Sequence, residues 1–310
     1  MLIEKHISWI ALNNIVGCPN NCAYCFLDHK KGVAPKVECD PDLAVQSLMN
    51  SSHYRPDTPV AIMVNTDAFA TKQNSQECIK ILKLVTALHF KNLFILVTKR
   101  LIQDEVAKEL NHLMKQGLKL LVYVSYSGLP SHFEQGTWHN GTPDALITMQ
   151  TLKKHHIPCA HYWRPLLPQN TSYETLKKVY MAVKDYCIGS LIMGLKLYSR
   201  METPYWPKAA EAFKENPSNE CIIPKGSLEK IYKIVGDYPI FLDNFCLLAV
   251  AQNIPCRYGI YGSIRCQQYN CCPYKKLSIN PCSSVTQPLP MTCDQNYWGN
   301  SSKSTKWIEI

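Results

Sequence analysis

Long apolar runs are absent from this 310-residue sequence. No stretch approaches the roughly 20 consecutive apolar residues that a membrane-spanning helix requires. Residues 1–6 contain no apolar core of the kind that a signal peptide carries, and the sequence has no internal repeats. From these absences we expect a soluble, cytoplasmic protein.

Acidic residues are in deficit. The sequence has 24 Asp and Glu against 33 Lys and Arg, which gives a net charge of +9. The excess is spread along the chain without a basic block, so it is compatible with a nucleic-acid or other anionic substrate but does not specify one. With 46% hydrophobic residues, the chain can bury a sizeable core, at the upper end of what one α/β domain holds.

Cysteine, by contrast, is abundant, with fifteen residues. In a reducing compartment such a number indicates metal binding or catalysis rather than a disulfide framework. The most informative segment is Cys18-Pro19-Asn20-Asn21-Cys22-Ala23-Tyr24-Cys25, a C-x3-C-x2-C pattern directly after the apolar stretch 10–16, which we predict to be the first β-strand.

Two common thiol sites fit this pattern poorly. A structural zinc site uses four ligands, usually as paired knuckles, and a redox dithiol needs only one C-x-x-C pair. Three close cysteines on one loop favour an iron–sulfur cluster whose protein ligands leave one iron open. A zinc loop and three unrelated cysteines are the alternatives.

At these residues the chain resembles the radical S-adenosylmethionine (SAM) superfamily, whose motif has this spacing and an aromatic residue, here Tyr24, before the third cysteine. The resemblance implies that Cys18, Cys22 and Cys25 hold a 4Fe–4S cluster and that the amino and carboxylate groups of SAM bind its open iron. Reductive cleavage of SAM then yields methionine and a 5′-deoxyadenosyl radical, which abstracts a hydrogen from the substrate. An electron donor such as flavodoxin or ferredoxin is implied as a partner.

Apolar strands alternate with amphipathic helices after the cysteine loop. We predict strands over 60–64, 93–97, 120–125, 158–163 and 190–197, and helices over 75–89, 104–115, 143–155 and 173–186. This alternation indicates βαβ units and an α/β fold with a parallel sheet. It matches the partial (β/α)6 barrel, an incomplete TIM barrel, that the resemblance implies, with the active site at the C-terminal ends of the strands.

We predict three regions along the chain. Residues 1–200 form the radical SAM core, 201–236 form a loop or lid with a connecting helix, and 237–310 form a small cysteine-rich C-terminal extension. The proline-rich stretch 198–224 is predicted to be the loop or lid. Ser227 is predicted to cap a helix that ends near Val235, and a further strand is predicted from Ile240 into Cys246.

Polar residues follow the predicted strands, where such a barrel binds its ligands. We predict that Thr66, Asp67, Lys99, Ser125 and Arg164 contact SAM. Arg164 could pair with the SAM carboxylate through a bidentate fork that Lys cannot reproduce. The sequence has no Gly-Gly-Glu segment after the second strand, so Thr66 and Asp67 are substitutes by position. An ordinary turn there, and a surface salt bridge at Arg164, are the alternatives.

The same segments resemble the spore photoproduct lyase-like branch of the superfamily. In that branch a Thr-Asp element follows the second strand, a Thr-Lys ends the third, and an Arg-x-x-Pro-x-x-Pro-like segment ends the fifth. The resemblance covers residues 10–200. Because the branch is similar to a lyase that repairs DNA lesions, it implies a nucleic-acid or nucleotide substrate.

The C-terminal region contains a second group of cysteines. Cys246 is followed by Cys256, Cys266, Cys271, Cys272, Cys282 and Cys293, among residues that supply little apolar material. An auxiliary iron–sulfur cluster held by Cys256, Cys266, Cys271, Cys272 and Cys282, a structural zinc ion, and free or disulfide-bonded thiols are all open. The group leaves two further hypotheses for function: a radical SAM maturase that modifies peptides and has an auxiliary cluster, and a zinc-stabilised binding protein without catalysis.

Overall fold

The computed structural model describes residues 1–6, 8–27, 30–197, 203–215, 222–253 and 308–310. Its main sheet has eight strands, whose order in the sheet follows their order in the chain. They are β1 (Ile3–Lys5), β2 (Ile10–Leu12), β3 (Val60–Ile62), β4 (Leu93–Thr98), β5 (Lys119–Ser125), β6 (Cys159–Trp163), β7 (Ser190–Ile192) and β8 (Ile240–Phe241). Strands β2 to β8 pair in parallel and β1 joins β2 antiparallel, so the sheet is open at both edges, as in a partial barrel.

Helices follow the strands. The described residues form α1 (Pro41–Met49), α2 (Lys72–Ala87), α3 (Asp104–Lys115), α4 (Asp144–Lys154), α5 (Tyr173–Val183), α6 (Pro207–Glu215), α7 (Ser227–Val235) and α8 (Asn244–Gln252). A strand–helix alternation of this kind gives a parallel sheet with helices packed on it. The predicted α/β class is therefore confirmed. None of the described helices has the length and apolar character to cross a membrane.

Both faces of the sheet are buried. Alternate strand residues point to opposite faces, so Leu96 and Val122 belong to the apolar cluster formed with α1 to α5 and α7, while Ile95 and Leu121 belong to a second cluster on the inner face. Helix α8 covers this inner face with residues that include Leu247. Burial on both faces explains why the strands are nearly continuous apolar runs.

Several local predictions were wrong or incomplete. The strand predicted over 190–197 ends at Ile192. The predicted loop over 198–224 contains α6, because proline at the first helical position starts a helix instead of breaking it. Helix α7 has the predicted bounds, but its N-cap is Gly226, and the Ser227 hydroxyl donates to the Pro224 carbonyl instead. Strand β1 and helix α1 were not predicted.

The strand predicted from Ile240 into Cys246 stops at Phe241. Asp243 caps α8 by accepting a 2.9 Å hydrogen bond from the backbone N–H of Phe245, so Cys246 lies in the first turn of a helix. A helix that is apolar all round has no amphipathic period to separate it from a buried strand. Strand β8 extends the main sheet beyond residue 200, and the division into three regions stays a prediction.

Candidate active site

A cavity of about 140 Å³ lies at the carboxyl ends of the parallel strands. The cysteine loop forms one wall, and residues at or just beyond the ends of β3, β4, β5, β6 and β7 form the others. The lining includes all eight of the described residues that the sequence predicts for the cluster and for SAM: Cys18, Cys22, Cys25, Thr66, Asp67, Lys99, Ser125 and Arg164. The structure thus brings them together around one space, and their binding roles stay predictions.

The start of the cysteine loop is fixed by close backbone packing. Gly17 has a φ of 93°, and a Cβ atom there would lie 2.8 Å from the carbonyl oxygen of Ala34. The backbone of Cys18 is held on both sides, because its N–H donates to Lys30 O (2.9 Å) and its carbonyl accepts from Val33 N (3.0 Å). Glycine is required at position 17 because both its dihedral angle and its surroundings exclude a side chain.

The middle of the loop is fastened by the segment that follows β5. The two-residue strands Asn21–Cys22 and Glu134–Gln135 pair antiparallel, with Cys22 opposite Glu134. Next to this pair, Ala23 N donates to Phe133 O at 2.9 Å. The positions of Cys22 and Cys25 therefore depend on a segment more than a hundred residues away in the chain.

The three thiols are in a desolvated setting. Burial raises the pKa of Cys18 to about 11 and that of Cys22 to about 12. Burial also raises the pKa of Cys25, and the charges of Lys99 and Arg164 act in the opposite direction. Cysteine binds metal as the thiolate, so a metal centre here would have to displace these protons, and the nearby cations favour the anionic ligands that result.

The donor set fits an iron–sulfur cluster. Three thiols come from one loop and line one cavity, and cysteine thiolates are the usual ligands of such clusters. Within the described part of the chain, no three His, Cys, Asp or Glu side chains lie close enough together to hold one metal ion, whereas each thiolate ligand of a four-iron cluster binds a different iron. Cys18, Cys22 and Cys25 are the residues that would hold the cluster.

Asp67 connects the ends of two strands to the cysteine loop. One carboxylate oxygen accepts hydrogen bonds from Thr98 Oγ1 (2.7 Å) and Phe69 N (3.0 Å), and the other accepts from Lys99 N (2.8 Å) and Asn20 Nδ2 (3.5 Å). Burial raises the pKa of this carboxyl, and the hydrogen bonds from Lys99 and Thr98 oppose that effect. Protein groups donate all four of these hydrogen bonds. Asp67 therefore helps to hold the ends of β3 and β4 against the cysteine loop, and its contact with SAM stays a prediction.

Thr66 lies in a constrained turn after β3. Met63 adopts a φ of 58°, a left-handed conformation that is uncommon for a residue other than glycine. Asn74 of α2 donates through its side chain to Thr66 Oγ1 (3.3 Å) and to the Asp67 carbonyl (2.8 Å). The first turn of α2 therefore holds the turn that carries both predicted SAM contacts.

Lys99 is the centre of a buried polar network. Its ammonium donates to Tyr24 Oη (2.7 Å), Ser125 Oγ (2.9 Å) and Glu134 Oε1 (3.0 Å). The Tyr24 hydroxyl and the Ser127 hydroxyl also donate to Glu134 Oε1. Burial and the charge of Glu134 hold the pKa of Tyr24 well above its usual range, which keeps its hydroxyl protonated.

Sequence reasoning did not predict Glu134 as a site residue. It lies nine positions beyond the end of β5, in a segment with no recognisable motif. The pairing of its backbone with Cys22 brings it next to the cysteine loop, where it contacts Tyr24 and Lys99 of the cavity lining. Tyr24 was predicted as the aromatic residue of the motif, but its hydrogen bonds to Lys99 and Glu134 were not.

Arg164 and Lys196 make one end of the cavity positive. The Arg164 guanidinium lies 5.5 Å from the centre of the Phe26 ring, and Lys196 Nζ lies 4.6 Å from the same ring. Arg164 Nη1 also donates to Tyr162 Oη at 2.7 Å. All four side chains line the cavity, and cations at such distances from a ring face are attracted by its quadrupole. Phe26 and Lys196 were not predicted, although Phe26 directly follows the last cysteine of the motif.

Of the seven C-terminal cysteines, the structure describes Cys246 alone. Cys246 is buried on the inner face of the sheet in α8. The predicted ligands of an auxiliary cluster, Cys256, Cys266, Cys271, Cys272 and Cys282, lie outside the described residues. The auxiliary cluster stays a prediction.

The fold of this chain is similar to that of a solved structure. No family model and no curated protein matches the chain. Among solved structures, a radical SAM methyltransferase from Sphaerobacter thermophilus has a TM-score of 0.52 at 10% identity, over 77% of this chain and 67% of that chain.

Two further structures are similar at lower scores. Spore photoproduct lyase complexed with dinucleoside spore photoproduct has a TM-score of 0.47 at 14% identity, over 77% of this chain and 64% of that chain. A radical SAM methyltransferase from Kitasatospora setae with cobalamin and a [4Fe–4S] cluster bound has a TM-score of 0.44 at 13% identity, over 65% of this chain and 36% of that chain. The match thus spans less than two thirds of the lyase structure. The chain therefore shares its fold with the Sphaerobacter methyltransferase structure.

Proposed function

We propose that this protein is a radical SAM enzyme that cleaves SAM reductively at a [4Fe–4S] cluster held by Cys18, Cys22 and Cys25. One observation carries the proposal: the three thiols of the motif line the same cavity as the polar residues at the ends of successive parallel strands. In α/β barrels that edge of the sheet is where active sites lie. The fold supports the proposal independently of the motif.

A cluster held by these three thiols would supply one electron, received from a donor such as flavodoxin or ferredoxin, for the cleavage of SAM into methionine and a 5′-deoxyadenosyl radical that abstracts a hydrogen from the substrate. Lys99 and Arg164 place positive charge beside Cys25, which favours the thiolate ligands. The apolar cluster that contains Cys22 and Tyr24 also contains Trp206 of the segment leading into α6. This packing excludes water from the back of the cysteine loop.

The residues predicted to contact SAM differ in the hydrogen bonds that they already make within the protein. Ser125 Oγ accepts a hydrogen bond from Lys99, so its own hydrogen is the one that it can donate to a ligand. Arg164 offers the planar fork that a carboxylate accepts. Asp67 and Lys99 have strong protein partners, and we assign them to SAM as residues that shape the site and set its charge. Thr66 completes the set through its hydroxyl.

We propose further that the substrate is anionic, and that a nucleotide or nucleic acid is the class that fits best. Phe26 supplies an aromatic ring to the cavity, and Arg164 and Lys196 both lie near that ring. A base can stack on an aromatic ring while cations contact phosphate. The net charge of +9 supports the same class. Retarded migration of single-stranded DNA or RNA that weakens steeply with salt would support this assignment. Binding that requires a short peptide would favour the maturase instead.

The central experiment compares the wild type with the Cys18→Ala/Cys22→Ala/Cys25→Ala variant after anaerobic reconstitution. Iron, sulfide and 5′-deoxyadenosine formed from SAM with a chemical reductant are measured. We expect the variant to contain about four irons fewer per chain than the wild type and to cleave no SAM. Cys78→Ala, which removes a buried thiol from α2, is the matched control and should keep both. Retained cleavage in the triple variant, or zinc without iron in the wild type, would refute the proposal.

A further inference from the structure

Glu134 accepts three hydrogen bonds on one oxygen, two of them from Tyr24 and Lys99, which line the cavity. Lys99 Nζ and Ser127 Oγ both donate to its Oε1 at 3.0 Å, and the Tyr24 hydroxyl donates to the same atom. The side chain of Glu134 is only 6% exposed, and that of Lys99 is 18% exposed. A carboxylate at this depth is stable only because a cation and hydroxyl donors surround it.

The network joins three parts of the chain. Tyr24 belongs to the cysteine loop, Lys99 follows β4, and Ser125 ends β5. All three hydrogens of the Lys99 ammonium are used, on Tyr24, Ser125 and Glu134. Since Glu134 also pairs through its backbone with Cys22, its side chain and its backbone hold the same loop at two points.

We propose that Glu134 is a positioning residue for the cluster: with Lys99 it forms a buried ion pair that clamps the cysteine loop, through Tyr24 and Cys22, onto the ends of β4 and β5. The inference rests on the proposed function, since it assigns Glu134 a role toward the cluster ligands. It also assigns Lys99 a charge partner inside the protein.

The E134Q variant isolates the charge of this pair. Glutamine keeps an oxygen that can accept from Tyr24 and Ser127, but it leaves the buried Lys99 ammonium without a counter-charge. Removing one partner of a buried pair costs much more than removing both. The double variant E134Q/K99M should therefore be closer to the wild type than E134Q is.

The first test needs no cluster. Cys22 is 5% exposed, so iodoacetamide reaches it only when the loop opens. The charges of Glu134 and Lys99 also act on the pKa of Cys22, so the rate is expressed per thiolate from its dependence on pH. In the full-length apo protein we expect this alkylation rate, measured by mass spectrometry, to rise roughly tenfold in E134Q and to fall back in E134Q/K99M. Cys78 in α2 is fully buried and should react at the wild-type rate in every variant if the effect is local.

The matched control is E77Q. Glu77 is also buried and also pairs with a lysine, Lys80, at 2.7 Å, but it lies on α2 away from the cysteine loop. It should leave the reactivity of Cys22 unchanged. The inference is overturned by an E134Q rate within about twofold of the wild type, by a parallel rise at Cys78, or by a double variant as reactive as E134Q.

A second readout uses the reconstituted protein. Chelator-driven loss of iron, followed by the visible absorbance of the cluster, should be roughly tenfold faster in E134Q than in the wild type and in E77Q. Equal rates would overturn the role toward the cluster. A wild type that takes up no iron would refute the proposed function and this role with it, whereas the alkylation rates would still decide whether Glu134 clamps the loop.

Discussion

Cys22 and Glu134 lie opposite each other in a two-residue antiparallel pair, and this pair joins the cysteine loop to the segment after β5. The contact is reinforced by the hydrogen bond from Tyr24 to Glu134, across 110 positions of the sequence. A loop with no regular structure of its own thus obtains its shape from a distant segment. The geometry of the candidate cluster site is therefore a property of the folded barrel and not of the motif alone.

Replacing Gly17 by alanine should loosen the start of this loop. Gly17 has a φ of 93°, and an added Cβ would meet Ala34 O at 2.8 Å. The control is Gly117→Ala, where φ is 108° but nothing lies within 4 Å of the added atom. Both variants incur the cost of a left-handed alanine, about 1–2 kcal/mol. Only Gly17→Ala adds the clash, so we expect it to lower the free energy of unfolding further and to reduce iron uptake.

Urea denaturation and iron content after reconstitution check this comparison. Equal iron content in both glycine variants would show that the approach of Ala34 does not shape the loop.

Asp67→Asn tests the carboxylate that joins β3 to β4. Asparagine offers one acceptor oxygen and turns an amide group toward donors such as Thr98 Oγ1 and Lys99 N. Loss of hydrogen bonds to a buried charged group should lower the free energy of unfolding by about 2–3 kcal/mol. Chemical denaturation measures the change, with Asp42→Asn on the exposed face of α1 as control. Equal stability of the two variants would mean that the network around Asp67 contributes little.

The architecture and the composition of the site could be predicted from sequence to different extents. The five strands from β3 to β7 were predicted because parallel strands buried on both faces are continuous apolar runs between amphipathic helices. Thr66, Lys99, Ser125 and Arg164 were found by their place after those strands. Because parallel strands end at one edge, position along the strand was enough to bring them together.

Residues brought in by loops could not be found in this way. Glu134 reaches the cysteine loop through a two-residue strand pair, which has no periodic pattern in the sequence. The first residues of helix α8, up to Cys246, were predicted as the end of a strand because an apolar helix on the inner face of a sheet lacks an amphipathic period. In both cases the structure depends on contacts with residues far away in the chain, and the local sequence pattern does not indicate such contacts.

His161 should make the protein less stable in mild acid. It is fully buried in β6, where its Nε2–H donates to Tyr126 O (2.8 Å) and its Nδ1 accepts from Ser190 Oγ (2.7 Å). Burial lowers its pKa from 6.5 to about 4. Above pH 6.5 both the folded and the unfolded states carry a neutral ring. As the pH falls from 6.5 towards 4, only the unfolded state gains a proton, so the free energy of unfolding decreases.

The full effect is about 3 kcal/mol, since one pKa unit corresponds to about 1.4 kcal/mol. Denaturation midpoints between pH 4 and 8 measure it as the difference between the wild type and His161→Gln, in which this titration is absent. The variant should be the less stable protein at pH 8, and its curve should be flatter below pH 6.5. If the stability of both proteins falls equally below pH 6.5, the titration of His161 does not cause the loss of stability in acid.

Arg164→Lys tests the positive end of the cavity. The guanidinium lies near the rings of both Phe26 and Tyr162 and donates to the Tyr162 hydroxyl. Lysine keeps the charge but cannot form a planar fork or make the same stacked contact. We expect the Kd for SAM, measured by equilibrium dialysis on the reconstituted protein, to rise roughly tenfold while iron content is unchanged, because one charge-assisted bidentate contact is worth about 1.4 kcal/mol or more.

Lys153→Arg is the control for this exchange, since Lys153 lies 5.4 Å from the Tyr186 ring, outside the residues that line the cavity. Its Kd for SAM should equal that of the wild type. If Arg164→Lys instead leaves the Kd for SAM unchanged but weakens the salt-sensitive binding of single-stranded nucleic acid, Arg164 belongs to the substrate and not to SAM. If Arg164→Lys instead loses iron, the main role of Arg164 is to hold the cysteine loop in place. It would do so through its contact with Phe26, which directly follows Cys25.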